Sequence, residues 1–494
     1  MMLKKPILFV STLALAACTV GPNYTKPDLA VPATYVGPQG APPPGQAIDP
    51  AHWWEAFDDP RLTDLIGRAL KDNPDMASAA SRVRQARLGE IQARAQYKPV
   101  VNADANATDV RFSKNAGFSQ LARAFGGGGG QSGSSPPAGI ALPGDSIKTF
   151  AIGFDASWEL DVFGGGRRGV EAALARTEAA EWNRRDAAVT LAAEVADAYF
   201  ALRLDQEQIA VLDSEIERQG RALQIAANIA KVGLTPSIDV TRQNGNITAT
   251  RARMEPLKAD LDVRKHALGV LVGQPPGALM GELSGPLPAL APTPEIPAGL
   301  PSDLLRRRPD IRAAERNLAA STADIGVAVA DLYPKFSLTG MAQLISTAFG
   351  NLFSGDSLQL TGTGQATFPL FDWGKRKANV GVRKEQREQA YQDYRLTVLQ
   401  ALRDVEDPLS KIDAERRRNT LLRQALADAD RTAAADQARY QSGLVAQDTV
   451  INTQMDVLRA KENLADSDAQ LRQLSVALFK AIGGGWSEGT PGAR

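Results

Sequence analysis

Apolar residues recur at alternating spacings of three and four from Ala188 to Ala230, through Leu191, Val195, Ala198, Leu202, Ile209, Leu212, Ile216, Leu223 and Ala226. Of the thirteen positions on this seam eleven are apolar, and the exceptions are Asp205 and Gln219. The pattern is a coiled-coil seam on a helix predicted over about residues 167–232. Such a helix is ~100 Å long at a rise of about 1.5 Å per residue. The same phase returns at Val398, Ala401, Val405, Pro408, Ile412, Leu422, Leu426, Ala429, Ala433 and Tyr440, on a second long helix predicted over 375–442. Glu415, Asn419 and Asp436 interrupt this copy, and Pro408 is expected to bend it, because proline lacks the helical N–H. A narrow seam on an otherwise polar surface suits helices lying side by side with water nearby. It does not suit a globular core. Gly233 and Gly443 stand where the helices must stop and reverse. Thr235-Pro236 then offers an N-cap and a first-turn proline, so shorter return helices are predicted over 236–272 and 446–482.

A period of two appears in four other places. Val101, Ala103, Ala105 and Ala107 alternate with Asn102, Asp104, Asn106 and Thr108. Phe150, Ile152, Phe154, Ala156, Trp158 and Leu160 form a second run, and Phe336, Leu338, Gly340, Ala342 and Leu344 a third. The fourth, near 358–370, is threaded with threonine and glycine. Each approximates the ~9–11 residues of a tilted strand crossing an outer membrane; strands of a soluble protein are the plain alternative. Open sheet edges cannot be tolerated in lipid, so four transmembrane strands require several chains to pool them.

The body is one unit written twice. Asn73-Pro74-Asp75 recurs as Arg308-Pro309-Asp310, a shift of 235, with Tyr97-Lys98-Pro99 echoed loosely by Leu332-Tyr333-Pro334. Val162-Phe163-Gly164-Gly165-Gly166-Arg167-Arg168 recurs as Leu370-Phe371-Asp372-Trp373-Gly374-Lys375-Arg376, a shift of 208. Val232-Gly233-Leu234 recurs as Ser442-Gly443-Leu444, and Leu268 and Gly273 as Leu478 and Gly483, at a shift of 210. The change of shift gives the first half ~25 extra residues between Pro99 and Phe163, around a Gly/Ser-rich tract at 126–139. Residues 59–273 and 302–486 therefore read as two repeats, joined by a junction at 274–301 that holds eight prolines, with a short tail at 487–494. Each repeat is predicted to hold a helix, two strands, a very long helix and a shorter one.

The first residues are a targeting segment. Lys4 and Lys5 precede the apolar run from Ile7 to Leu15, which is too short to span a membrane as a helix but fits a secretory signal. Leu15-Ala16-Ala17-Cys18 closes it and resembles the lipobox of bacterial lipoproteins. Residues 1–17 would be removed, leaving Cys18 as a lipid-modified N-terminus; an ordinary signal peptide with an incidental cysteine is the alternative. The chain's one cysteine stands where a lipobox needs it, and Thr19 follows rather than the aspartate that implies inner-membrane retention. Residues 18–58 form an arm, and from Gly21 to Pro50 it is rich in proline and glycine and lacks apolar periodicity.

Composition removes several functions. Lys plus Arg and Asp plus Glu both count 56 in 494 residues, so the basic excess expected of a nucleic-acid binder is missing. Two histidines, His52 and His266, and one cysteine cannot assemble a His/Cys zinc cluster or an internal disulfide. The glycine run at 126–130 lacks the lysine and hydroxyl of a phosphate loop, and no nucleophile–base–acid set emerges, so an enzyme is not expected. A lipid-anchored periplasmic adaptor or coiled-coil scaffold is the main rival. It would share the lipobox and hairpins but not alternating strands in both halves.

With Cys18, Trp54-Glu55-Ala56-Phe57-Asp58-Asp59-Pro60-Arg61-Leu62, Asn73-Pro74-Asp75, Phe371-Asp372-Trp373-Gly374-Lys375-Arg376 and Gly483-Gly484-Gly485-Trp486 in this order, the whole chain resembles the outer-membrane factor family, the TolC/OprM-like exit ducts of tripartite efflux pumps. The resemblance implies a mainly α protein with membrane β-structure. In the expected homotrimer, four strands per chain make a twelve-stranded β-barrel that continues into a long periplasmic α-helical coiled-coil barrel. It implies an outer-membrane location, no cofactor beyond the lipid on Cys18, and no nucleic acid. The implied partners are a periplasmic adaptor and an inner-membrane RND-type transporter, and the implied function is passive export of small toxic compounds or drugs. Gly233, Leu234, Thr235, Gly443 and Leu444 would be the hairpin tips offered to the adaptor. Relatives place an aspartate and an arginine in the constriction beyond the second tip, where this chain has Asn452 and Met455. Asp448, one turn nearer the tip, and Asp239 in the first copy are the candidate acids of a negatively charged aperture. Helix-start aspartates favoured by the helix dipole are the alternative.

Overall fold

The computed structural model describes residues 19–36, 49–111, 146–232, 237–285, 290–296 and 301–486. Cys18, the signal segment, the Gly/Ser-rich tract and the first tip, Gly233 to Thr235, lie outside the described residues. Among the described residues the first half holds α1 (Pro60–Asp72), α2 (Pro74–Ala95), β1 (Val100–Arg111), β2 (Ser146–Leu160), α3 (Gly165–Lys231) and α4 (Ser237–Leu271). The second half repeats the order as α5 (Pro301–Arg307), α6 (Pro309–Ala330), β3 (Lys335–Ser346), β4 (Leu358–Thr367), α7 (Lys375–Gln441) and α8 (Gln447–Ala481). The longer helices agree in length between the halves: α3 and α7 have 67 residues each, α4 and α8 have 35, and α2 and α6 have 22. Pro408 lies inside α7, buried on its seam, and the helix continues through it.

The chain folds as two compact units. One comprises residues 1–24, 88–174 and 320–387 and is built on a four-stranded antiparallel sheet in the order β1-β2-β3-β4. Register sorts its side chains by face. Ala103 opposes Phe154, Phe154 opposes Ala342 and Ala342 opposes Leu360, so one face is apolar from edge to edge. The other carries Asn102 opposite Asp155, Asp155 opposite Met341 and Met341 opposite Thr361, with Gln343 paired to Gln359. Asn102 donates to Asp155 at 3.1 Å and Gln343 to Gln359 at 3.2 Å across this polar face. Every position of β1 and β4 is exposed, and Phe154 on the apolar face keeps 62% of its surface. A soluble sheet would bury that apolar face. At the helix-linked ends of the strands Trp158 donates from Nε1 to the Tyr97 carbonyl at 3.0 Å, and Phe163 stacks on Tyr333 at 4.7 Å. The start of the arm docks here as well: Val20 N–H donates to the Phe163 carbonyl at 3.1 Å, and Arg168 donates to the Val20 carbonyl and to Asn23 Oδ1 at 3.2 and 2.6 Å.

The other unit, residues 25–87, 175–319 and 388–494, holds the seams. All thirteen seam positions of α3 are buried or half-buried, and so are all thirteen of α7. Most of their polar members cross to the return helices, whereas Asp436 pairs with Arg439 of its own helix. Asp205 pairs with Arg264 of α4, burial raising its carboxyl pKa against the pull of the arginine. Gln219 accepts from Thr250 of α4 at 3.2 Å. In the second copy Asn419 donates to Asp468 of α8 at 2.8 Å, and Ser467 of α8 donates to Glu415 at 2.5 Å. Polar residues at a seam fix register at some cost in stability, which accounts for interruptions that a purely apolar pattern would not need.

The repeated motifs meet in space. Asn73 accepts from Asp75 N–H at 2.7 Å and donates to the Leu271 carbonyl at the end of α4, at 2.8 Å. Arg308, its counterpart, donates to the Ala481 carbonyl at the end of α8, at 3.1 Å. Gly273 and Gly483 follow those helix ends at φ +76° and +77°, and a Cβ would reach the Asp72 and Arg307 carbonyl oxygens at 2.4 and 3.1 Å. The Trp54-to-Leu62 motif closes the same region. Asp59 caps α1 through Arg61 N–H at 2.9 Å and accepts from Tyr199 Oη at 2.6 Å. Burial, with the Asp59 carboxylate, pushes the Tyr199 phenol well above its ordinary range, so it stays a donor. Trp53 stacks on Phe479 at 5.1 Å and Phe57 packs on Phe200 at 4.9 Å.

The two faces of the sheet should respond oppositely to charge. Phe154→Arg puts a guanidinium on the apolar face at a cost of ~2–4 kcal/mol if that face meets lipid, and should cut the folded, heat-modifiable protein recovered from outer membranes more than tenfold. Thr361→Arg on the polar face should leave recovery near normal; equal losses would reject the assignment of faces.

Candidate functional site

The ends of the two helix hairpins bring together residues far apart in the chain. After α7, Gly443 takes φ +70°, and Leu444 N–H returns to the Arg439 carbonyl at 2.9 Å, the closing bond of a helix C-terminus. Leu444 is 73% exposed. Asp239 and Asp448 stand in the first turns of α4 and α8, and Arg242 joins them: its Nη1 lies 2.8 Å from Asp448 and 3.5 Å from Asp239. The bridge ties one hairpin to the other and sets one guanidinium against two carboxylates. Arg242 is the residue that sequence reasoning missed. Its signal was present, one helical turn after Asp239, but its partner Asp448 is 206 residues away.

A cavity of about 340 Å³ follows, bounded by α3, α4, α7 and α8. Asn452 lines it with Gln243 and Gln454, the last accepting a hydrogen bond from Arg218. Arg218 is also paired with Glu215 of its own helix. Met455 borders the same space but packs on the Leu212, Met254 and Leu458 cluster, so its side chain serves the packing between helices. Of the sequence candidates, then, the structure brings Asp239 and Asp448 onto one arginine and sets Asn452 and Met455 along one cavity wall. No group of His, Cys, Asp and Glu among the described residues could hold a metal ion. No helix among them is long and apolar enough to cross a membrane.

The sequence profile of the outer membrane efflux protein family matches residues 65–274 and 300–484. The chain belongs to the outer membrane efflux protein family. Over 496 residues it is 30% identical to the pyoverdine export outer membrane protein OpmQ of Pseudomonas aeruginosa, covering 100% of this chain and 99% of OpmQ. It is 30% identical to outer membrane protein OprJ of the same organism, over 99% of this chain and 98% of OprJ. The solved outer-membrane channel OprN superposes with a TM-score of 0.83 at 31% identity, over 95% of this chain and 100% of OprN. The fold is therefore TolC-like, and the protein is an outer-membrane efflux channel subunit, the outer-membrane component of an efflux pump.

In this outer membrane efflux protein the Arg242 bridge is solvent-exposed, and such pairs contribute ~0.2–1 kcal/mol. Arg242→Ala should raise open probability in single-channel recordings by up to about fivefold, with Arg242→Lys close to the parent. An unchanged open probability in Arg242→Ala would show that the bridge does not restrain the hairpin ends.

Proposed function

We propose that three copies of this chain pool their strands into a twelve-stranded barrel. The assembly is the exit duct to which a periplasmic adaptor and an RND-type transporter deliver small toxic compounds or drugs. The observation that carries the proposal is the sheet: apolar on one face, polar on the other, and open at β1 and β4. In lipid those edges must pair with other copies, and three copies give an even number of strands in the range of known barrels. The apolar face meets the hydrocarbon and the polar face lines the lumen. Transport through such a duct is passive, and the chain does no chemistry on its cargo.

The lipid reading of Cys18 fits the docking of Val20 beside Phe163, just past β2. Both strand hairpins enter and leave the sheet on this side, which is the periplasmic boundary of the barrel. An acyl chain on Cys18, two residues before Val20 in the sequence, would join the chain to the bilayer on that side. The exposed Leu444, and the first tip at Gly233, Leu234 and Thr235, are the surfaces offered to the adaptor. Asp239 and Asp448, each in contact with Arg242, border the periplasmic aperture and are the acids that give it its negative character. Asn452 lies behind these acids along the same path. Met455 keeps the helices at that level in register by packing.

Planar bilayers test the duct and its aperture together. The purified assembly should conduct ions with a preference for cations, and Asp448→Asn should reduce that preference without abolishing conductance. Absence of conductance would contradict the duct, whereas unchanged selectivity in Asp448→Asn would reject the acidic aperture alone.

A further inference from the structure

The second hairpin holds a polar cavity apart from the one beside the hairpin ends. It has a volume of about 320 Å³ and lies between α7, α8 and residues Leu290 to Thr293 of the proline-rich junction. Three guanidinium groups line it, those of Arg416, Arg423 and Arg472, against the single carboxylate of Asp468. That carboxylate is already engaged, accepting from Arg423 Nη2 at 2.9 Å and from Asn419 Nδ2 at 2.8 Å. Among the described residues Arg416 pairs with Glu295 alone, at 3.9 Å and toward solvent. Arg472 has no hydrogen-bond or ion-pair partner among the described residues, and its Nε is fully buried. Burial lowers its pKa from the ordinary arginine value, and Arg203 and Arg423 push the same way against Asp468 and Glu207.

The Nε–H of Arg472 is buried without a partner, a costly arrangement because that donor loses water and gains nothing in exchange. Packing alone would be better served by an apolar residue of similar size. Arg203 and Arg423 add positive potential beside it, and of the two carboxylates that act on it, Asp468 is already engaged by Arg423 and Asn419. The fork of donors on a guanidinium matches two oxygens of one carboxylate or phosphate, and those hydrogen bonds are of the strong, charge-assisted kind. We propose that this cavity is a binding site for a small oxyanion, a phosphate or carboxylate group held by Arg472 with Arg416 and Arg423 at its rim. The site is separate from the aperture and does not depend on the export reading. Its effect would be to tie α7 and α8 to the junction that links the two repeats.

The full-length assembly in detergent is titrated with sodium phosphate and, separately, sodium acetate, each against sodium chloride at equal ionic strength, while its thermal unfolding midpoint is followed. A saturable rise beyond the chloride control is expected with phosphate. A matching rise with acetate would identify the group as any oxyanion, and a flat acetate curve would identify it as phosphate. Arg472→Met should weaken apparent phosphate affinity at least tenfold while the assembly keeps its size. Arg416→Gln, outside the buried part of the site, provides a second reading and should weaken it by a smaller factor. A parent protein that does not respond beyond chloride would overturn the proposal, as would undiminished affinity in both variants. If Arg472→Met dissociates the assembly while the parent ignores phosphate, a carboxylate of a neighbouring copy fills the cavity, and the oxyanion site is likewise rejected.

Discussion

The unpaired backbone along β1 and β4 is the constraint on which the rest of the molecule depends. A sheet with an apolar outer face belongs in hydrocarbon, and hydrocarbon offers nothing to an unpaired N–H or C=O. Among the described residues one chain supplies four strands whose register is complete inside and unmet at both edges. Closure by other copies is therefore a requirement of the fold itself. It sets a symmetry, and the symmetry turns each hairpin end into a ring of equivalent residues. A single Asp448 on a single chain is a first-turn acid, and the aperture proposed for it exists only once copies surround an axis.

The helices solve a different problem. Long hairpins with polar surroundings have little apolar surface to fix their register, and a coiled-coil seam can slip by a heptad at modest cost. Asp205 with Arg264, Gln219 with Thr250, and Asn419 with Asp468 make slippage expensive, because each slip strands a buried polar group. The repeat repays itself in the same way. Asn73 and Arg308 occupy corresponding places and each closes the C-terminus of its own return helix, although an amide and a guanidinium share little chemistry. What duplication conserved here is the carbonyl needing a donor. The donor itself was free to change.

Local periodicity carried much of this into the sequence. The two-residue alternation in 101–107 and 150–160, and the three-four spacing from Ala188 and from Val398, each follow from one element's own geometry, so they can be read without knowing what lies opposite. The duplication was legible for the same reason, since Gly273 and Gly483 mark identical helix endings. The rest required contacts that no spacing encodes. Arg242 reads as a surface arginine until α8 brings Asp448 to it, and Arg472 reads as one more seam-flanking cation until its Nε is seen buried without a hydrogen-bond partner. Pro408, expected on its missing N–H to bend the helix, lies inside a continuous α7 with its ring buried on the seam. Polar interruptions at Glu415 and Asn419 looked like flaws in a pattern and are instead its register pins.

The mass of the assembly extracted from outer membranes tests the central claim most directly. Native mass spectrometry in detergent, with subunit number read from the intact complex, should give three chains and no stable species with fewer that retains β-structure. A folded monomer or dimer retaining its strand signal would contradict the account, since its sheet edges would then be satisfied without pooling.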